Sequence, residues 1–342
     1  MHLTEHNLSV RQAQAGRNRI RLARSGRIAR ALSEMPRGRR GIFAALVRAE
    51  MTPLMLLPFV FGSLLAWWEM GVFNPLVLGF GLIGALAGVW AFRTLGDYCA
   101  HSYDQRPEAR AVQDPFITGF GLIRRGRVPA TMLRDLGLLL AAIYLASTAW
   151  LTFLAGWPML FFAGLSLLVS AAVMLLPFVS GYRGWGIGQA GAMLALGILP
   201  VLTGYYGQAQ ALSWLALWAA VPVAFIIGLA EFDFDAIHMR RDWLIGKPTL
   251  PVNLGPVRSR DVGALLTLSV YVATLLVVSL SKLPLLALAA LASLPMALSV
   301  FEPLQHEQIA PDDWVRLYAT ALNAGLLTGF LFCAALIVDK LV

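Results

Sequence analysis

The chain has 342 residues, of which 58% are hydrophobic and only 13% charged. That balance excludes a water-soluble globular domain and predicts an all-α membrane protein, because apolar runs of about 18 residues or more recur, enough to cross a bilayer as helix. The net charge of +8 does not point to nucleic acid, since the positive residues gather in particular loops and cover no soluble face.

Residues 1–42 stand apart. The stretch RQAQAGRNRIRLARSGRIARAL spaces arginines at helical intervals with almost no acid. Three readings fit it: an amphipathic helix on anionic lipid, an organelle transit peptide, or a disordered basic tail that enforces topology. No apolar stretch precedes Ile42, which argues against a cleavable secretory signal. From 43 to 342 the pattern predicts one bundle of about nine transmembrane helices, at roughly 51–69, 75–96, 131–155, 159–178, 186–206, 212–231, 262–281, 283–301 and 315–338. The third starts beside Arg134 and Asp135. Two polar segments, 98–130 and 231–261, follow the second and sixth spans and read as basic loops, whereas the segments near 70–74, 156–158 and 207–211 carry almost no positive charge. The excess of arginine and lysine places the N-terminus and both basic loops in the cytoplasm and the C-terminus outside; Lys282 dissents weakly. Cys99 and Cys333 both fall in or beside spans, so they imply neither a disulfide framework nor a CxxC metal site. Trp67, Trp68, Tyr205, Tyr206, Trp214 and Trp218 read mainly as an interfacial belt.

Each basic loop opens on an acidic cluster. DYCAHSYD places Asp97, His101 and Asp104 at i, i+4 and i+7; DAIHMRRD places Asp235, His238 and Asp242 at i, i+3 and i+7, with Glu231 one turn earlier. At helical pitch each set lies on one face of one helix. Ionisable groups at membrane depth are costly and mark a pathway or a site. Hard divalent cations take carboxylate oxygens together with water and phosphate ligands, and nearby arginines and lysines neutralise remaining phosphate charge. Two such clusters, one in each half of the chain, predict a metal-dependent site for a phosphorylated substrate in a cavity facing the cytoplasm. The plainer reading is a set of helix-end charges paired with one another. Ion-coupled transport also uses intramembrane acids, but it places them near mid-span, not at helix ends.

The second block, AEFDFDAIHMRRDWLIGKPTLPVNLG, resembles the second aspartate-rich motif of the UbiA superfamily of intramembrane prenyltransferases, DxxDxxxD followed by a Gly-Lys/Arg-x-Thr-Leu tail. Asp235 and Asp242 match its first and last acids, His238 replaces the middle one, and Gly246-Lys247-Pro248-Thr249-Leu250 matches the tail. VRAEMTPLMLLPFVFGSLLA, with Arg48, Thr52, Pro58 and Gly62, resembles the family's first helix, especially in the 1,4-dihydroxy-2-naphthoate polyprenyltransferase branch. PFITGFGLIRRGRVP and GYRGWGIGQAGAMLALGILPVLTGYYGQ resemble two further segments of that branch. The family's first motif is NDxxDxxxD. Here Gly96-Asp97 and Ala100 break it, and a one-residue shift that sets Asp97 on the Asn and His101 on the next Asp restores two ligand-capable groups.

The resemblance implies a nine-helix fold over roughly 43–342 in a bacterial inner membrane. It also implies transfer of an isoprenoid from a prenyl diphosphate to an aromatic acceptor, with membrane lipid as the surroundings and Mg2+, or Mn2+, as cofactor. Asp97, Asp235 and Asp242 would be catalytic; Asp97, His101, Asp104, Asp235, His238 and Asp242 would hold metal; Arg48, Arg125, Arg127, Arg183, Arg241 and Lys247 would bind substrate. Imidazole suits Mn better than Mg, and the two histidines are otherwise hydrogen-bonding neighbours of the metal. The acceptor stays open among 1,4-dihydroxy-2-naphthoate, 4-hydroxybenzoate, a chlorophyllide and a lipid. Ala100 and the histidines also leave open a non-catalytic homologue.

Overall fold

The computed structural model describes residues 38–104, 122–123, 126–180, 185–244, 246–299 and 311–342. The basic extension up to residue 37, Arg125 and Arg183 lie outside them, as do the side chains of 102–104, Asp104 included.

The described chain is helical throughout: α1 Gly38–Val47, α2 Thr52–Met70, α3 Pro75–Asp104, α4 Ala130–Ala155, α5 Pro158–Ser180, α6 Ile187–Ala209, α7 Trp214–Ile237, α8 Met239–Leu244, α9 Leu250–Leu280, α10 Leu285–Leu298 and α11 Pro311–Leu341. Local chemistry sets the ends. A proline opens α2, and Gly71, at φ 72°, closes it in the left-handed conformation by donating to the Trp67 carbonyl. Ser213 caps α7, its hydroxyl accepting from the Leu215 amide at 3.1 Å.

Among the described residues, seven helices are long and apolar enough to cross a membrane: α2, α3, α4, α6, α7, α9 and α11. The protein is therefore a multi-pass integral membrane protein. Two shorter apolar helical stretches, Pro158–Met174 and Leu285–Leu298, fall where the sequence predicts the fourth and eighth of nine spans.

The two segments read as basic loops differ from expectation. The first acidic cluster rides on α3, which continues to Asp104, and most of 231–261 is helix: the end of α7, then α8, then α9 from Leu250. Hydropathy ends a span where charge begins, but a helix backbone continues across charge when its polar face finds partners. The Gly255-Pro256 step bends α9 near its start, Gly255 leaving helical geometry at φ 73°, ψ 171°.

The most enclosed span is α7, which packs against α9, α6, α11 and α2; α3 lies along α4, and α10 along α11. Between α2 and α6 the backbones touch, because a Cβ on Gly62 would collide with the Val201 carbonyl and one on Gly204 with the Phe59 carbonyl. At the end remote from the acidic clusters, polar bonds tie the helices together. Trp68 donates to Asp339 at 2.8 Å, Lys340 donates to the Trp68 carbonyl at 2.9 Å, and Tyr205 donates to Glu69 at 2.7 Å. Tyr205 is buried and is no belt residue; Trp214 and Trp218 are exposed.

Candidate functional site

Both acidic clusters reach one cavity of about 50 Å³ at the charged end of the bundle. Asp97 contributes from α3, Asp235 and His238 from the end of α7, Arg241 from α8, Lys247 from the following turn and Arg48 from the turn before α2. Four helices converge there because α7 is the central column and its last two turns carry the polar stripe.

Arg48 is delivered by an unusual backbone. It adopts φ 52°, outside the range most side chains tolerate, at a cost of about 1–3 kcal/mol. The strain is held from both sides. Leu46 anchors α1 in an apolar cluster with Leu122, Val128 and Leu133, and the guanidinium lies 4.0 Å above the Phe234 ring while donating to Asp97 Oδ1 at 2.7 Å. Asp97 is 1% exposed, and its second oxygen, Oδ2, is buried without a hydrogen-bond partner. Asp242, also 1% exposed, has Oδ2 3.3 Å from Lys247 Nζ and Oδ1 buried without a partner. The Lys247 amide donates to the Asp242 carbonyl at 2.8 Å, so the backbone turn itself brings this lysine to the acid.

Asp235 Oδ2 accepts from Gln189 Nε2 at 2.9 Å. His238 Nδ1 lies 2.9 Å from the Phe234 carbonyl. A carbonyl only accepts, so Nδ1 carries a proton, which in the neutral tautomer puts the lone pair on Nε2, the form a metal ligand needs. Burial pulls the Arg241 guanidinium below its ordinary value, against the raising fields of Asp242 and Asp97, yet an arginine stays charged. Burial likewise pushes the Glu50 carboxyl upward, against its backbone hydrogen bond and the charges of Arg48 and Arg93.

Other expected site residues are placed differently. His101 is half-buried one turn beyond Asp97 and does not line the cavity; Arg127 is exposed in the turn at 126–128. Glu231, read as part of the acidic stripe, is held by a two-pronged ion pair with Arg93, one arm at 3.0 Å. Among the described residues, no three His, Cys, Asp or Glu side chains converge closely enough to hold a metal ion by themselves. The reason is local: Arg48 engages Asp97, Lys247 engages Asp242, and Gln189 engages Asp235. The orphaned Oδ2 of Asp97, a residue of the cavity wall, nonetheless suits a hard cation, whose remaining ligands would include water and phosphate oxygens.

Arg93, Gln189, Glu50 and Phe234 escaped the sequence reading. Arg93 carried a signal, being an arginine inside an apolar span, one helical turn before Asp97. Gln189 carried none, since its role depends on where α6 sits against α7.

The polar cavity adjoins a second, apolar one of about 200 Å³. Phe92 and Met174 line both, forming a neck between them. The larger chamber runs between α2, α3, α4, α5 and α6, and its walls are mainly glycine, alanine, leucine and methionine.

A many-helix membrane bundle with a charged cavity at one end and a greasy chamber beneath it defines the class. Residues 55–319 match the model of the UbiA prenyltransferase family, and the chain belongs to that family. No curated protein sequence matches it. The fold is similar to an apo UbiA homolog from Aeropyrum pernix K1 (TM-score 0.61, 16% identity, covering 84% of this chain and 97% of that one). It is also similar to a UbiA homolog from Archaeoglobus fulgidus bound to GPP and Mg2+ (TM-score 0.59, 12% identity, 86% and 99%). A third similar structure is a digeranylgeranylglyceryl phosphate synthase (TM-score 0.55, 13% identity, 87% and 98%). Family membership makes the chain an enzyme of the prenyltransferase class.

Proposed function

We propose that the chain transfers an isoprenoid from a prenyl diphosphate to an aromatic acceptor, a quinone precursor such as 1,4-dihydroxy-2-naphthoate, with Mg2+ or Mn2+. One observation carries this reading: a cavity of paired acids and bases opens through Phe92 and Met174 into an apolar chamber. That pairing suits a ligand with a multiply charged head and a hydrocarbon tail. The Archaeoglobus homolog's GPP and Mg2+ are of this kind. Residues 43–342 form the catalytic domain, with both acidic clusters on the cytoplasmic side of a bacterial inner membrane.

Arg48, Arg241 and Lys247 bind the diphosphate, Arg48 and Lys247 exchanging their carboxylate partners for phosphate oxygens. Arg125, Arg127 and Arg183 are assigned to the substrate on family resemblance alone. Asp97, Asp235, Asp242 and His238 hold the metal, with His101 and Asp104 as the outer members of the first motif. A bound divalent ion supplies positive charge at the departing pyrophosphate. The C1–O bond of the allylic donor breaks and its electron pair leaves with pyrophosphate. A ring carbon of the acceptor bonds to C1, and the ring proton is lost. Phe234 and Phe92 line the cavity wall beside these charges.

The test is incubation of the purified protein with labelled prenyl diphosphates, a panel of aromatic acids and Mg2+ or Mn2+, with products read by mass spectrometry. The existing pairing of Asp97 with Arg48 and Asp242 with Lys247 favours a second reading, a binding-only homologue. Tight donor and Mn2+ binding with no product from any acceptor would select it.

A further inference from the structure

Gln189 stands on a helix whose position is fixed on both sides. Gly186, at φ 80°, turns the chain into α6. A Cβ on Gly191 would collide with Val173 Cγ2 of α5, and one on Gly197 with the backbone of Ala224 in α7. α6 is thereby wedged between α5 and α7, and Gln189, 7% exposed, meets Asp235 on the wall of the charged cavity. A π turn over Met193–Ile198 follows, a widening that recurs at functional sites. The chemistry of this contact orients the amide. A carboxylate only accepts, so the Gln189 NH2 faces Asp235 and its carbonyl faces away. That carbonyl oxygen, Oε1, is buried without a hydrogen-bond partner. Amide bond lengths keep it within about 5 Å of Asp235 Oδ2. A buried acceptor is costly until it meets a donor, so it favours a ligand that supplies one.

We infer that Gln189 determines specificity for the aromatic substrate, its Oε1 accepting a hydrogen bond from a hydroxyl on the ring. The inference rests on the prenyl-transfer reading for the presence of an aromatic ligand, and on the oriented, buried amide for the hydroxyl. Elimination among the reactants leads there. An ionised diphosphate offers only acceptor oxygens, which suit the cations Arg48, Arg241 and Lys247 of the same cavity. The isoprenoid tail offers no polar group, and a ring carboxylate only accepts. A ring hydroxyl is the one reactant group with a proton to donate. The substrate class is therefore a phenol or naphthol, not an arene or an aryl ether, either of which leaves Oε1 unpaired. In this contact the hydroxyl keeps its proton; the bond lends electron density to the ring, and the proton lost on alkylation is the one on the ring carbon.

The experiment measures binding without turnover. The full chain in micelles, with Mn2+ and geranyl thiolodiphosphate as an unreactive donor, is titrated with 4-hydroxybenzoate, 4-methoxybenzoate and benzoate, and with the corresponding naphthoates. In the unsubstituted protein the hydroxy acid should bind about 10- to 100-fold more tightly than the ether or the parent acid, the range expected when a buried acceptor is left unpaired. Gln189→Leu should bring that ratio within about threefold, chiefly by weakening the hydroxy acid. Gln189→Asn, which withdraws the carbonyl by about 1.5 Å, should lower the ratio likewise and serves if the leucine variant folds poorly. The ratio compares ligands on one protein, so a general loosening of Asp235 cancels from it. A ratio near one in the unsubstituted protein, or a ratio that neither variant moves, overturns the inference. Mn2+ affinity, read by electron paramagnetic resonance, falling about tenfold in Gln189→Leu with the ratio intact also overturns it, and makes the amide a support of the metal site. Hydroxyl-selective binding that Gln189→Leu abolishes, in a protein that yields no product with geranyl diphosphate, upholds the inference and sinks the transfer reading. Product formed with no preference for the hydroxyl does the reverse.

Discussion

Arg93 and Glu231 form the most deeply enclosed ion pair that joins the two halves of the described bundle. Their side chains are 4% and 9% exposed, and Arg93 engages both carboxylate oxygens, while its Nε is buried without a partner. Both line the charged cavity, and removing one partner leaves an uncompensated buried charge on its wall, at a cost of about 3–5 kcal/mol. Removing both does not, since the desolvation of two ions and the orphaned Nε disappear together. Arg93→Leu and Glu231→Leu should therefore each destabilise by about 3–5 kcal/mol, and the double variant should be neutral or more stable by about 1–4 kcal/mol. Unfolding of the four proteins against the mole fraction of SDS in mixed micelles gives the cycle. Transfer activity in the double variant should stay within about tenfold, because Arg93 already holds both carboxylate oxygens of Glu231. Additive single effects, to within about 0.5 kcal/mol, would refute the ion-pair account. An inactive but stable double variant would return Glu231 to the metal site.

Three further outcomes follow from the site. Asp235→Asn and Asp242→Asn should each lower kcat by about 100-fold or more, the loss seen when one charge-stabilising group is removed, with unchanged helicity by circular dichroism; near-normal rates in both would take the second cluster out of the chemistry. His101→Ala and His238→Ala should weaken Mn2+ binding, read by electron paramagnetic resonance, and the corresponding Asp variants should shift preference toward Mg2+; identical metal curves in all of them would mean that the histidines are bystanders. For Glu50, burial raises the folded-state pKa above its unfolded value, so the stability it contributes is present below the unfolded value and is lost as pH rises through the folded value. Glu50→Gln should raise the Tm at neutral pH, with the difference closing near pH 4; an equal gain at both pH values would deny the linkage.

Helical periodicity and apolar length were enough to place most of the spans, because in a bilayer the backbone must satisfy itself within a helix. They misjudged where helices stop. Asp97 to Asp104 continues as helix and Glu231 to Asp242 runs from α7 through a break at His238 into α8, because Arg48, Gln189, Lys247 and Arg93 supply partners from elsewhere in the bundle. Asp235 and His238, singled out by their spacing, line the charged cavity, and Lys247 of the Gly-Lys tail lies 3.3 Å from Asp242. What spacing cannot convey is competition between partners. Arg48 was legible as a substrate-binding candidate; its present hold on Asp97 depends on a left-handed backbone at residue 48 and on the Phe234 ring beneath it. The chamber and its neck were illegible for a similar reason, since Phe92, Met174, Leu151 and Met159 look like any other apolar residues until five helices are assembled around the gap.

The bonds between Trp68 and Asp339, and between Lys340 and the Trp68 carbonyl, join positions 271 and 272 residues apart. They clasp α2, the first of the long helices, to α11, the last described one. During synthesis α2 therefore waits in the membrane for its partner until α11 has been made. A truncation that removes only the end of α11 would spare every residue of the charged cavity and still leave the ring of helices without its closing fastener. Such products should be recognised by quality control as unfinished, even though the chemistry they carry is complete.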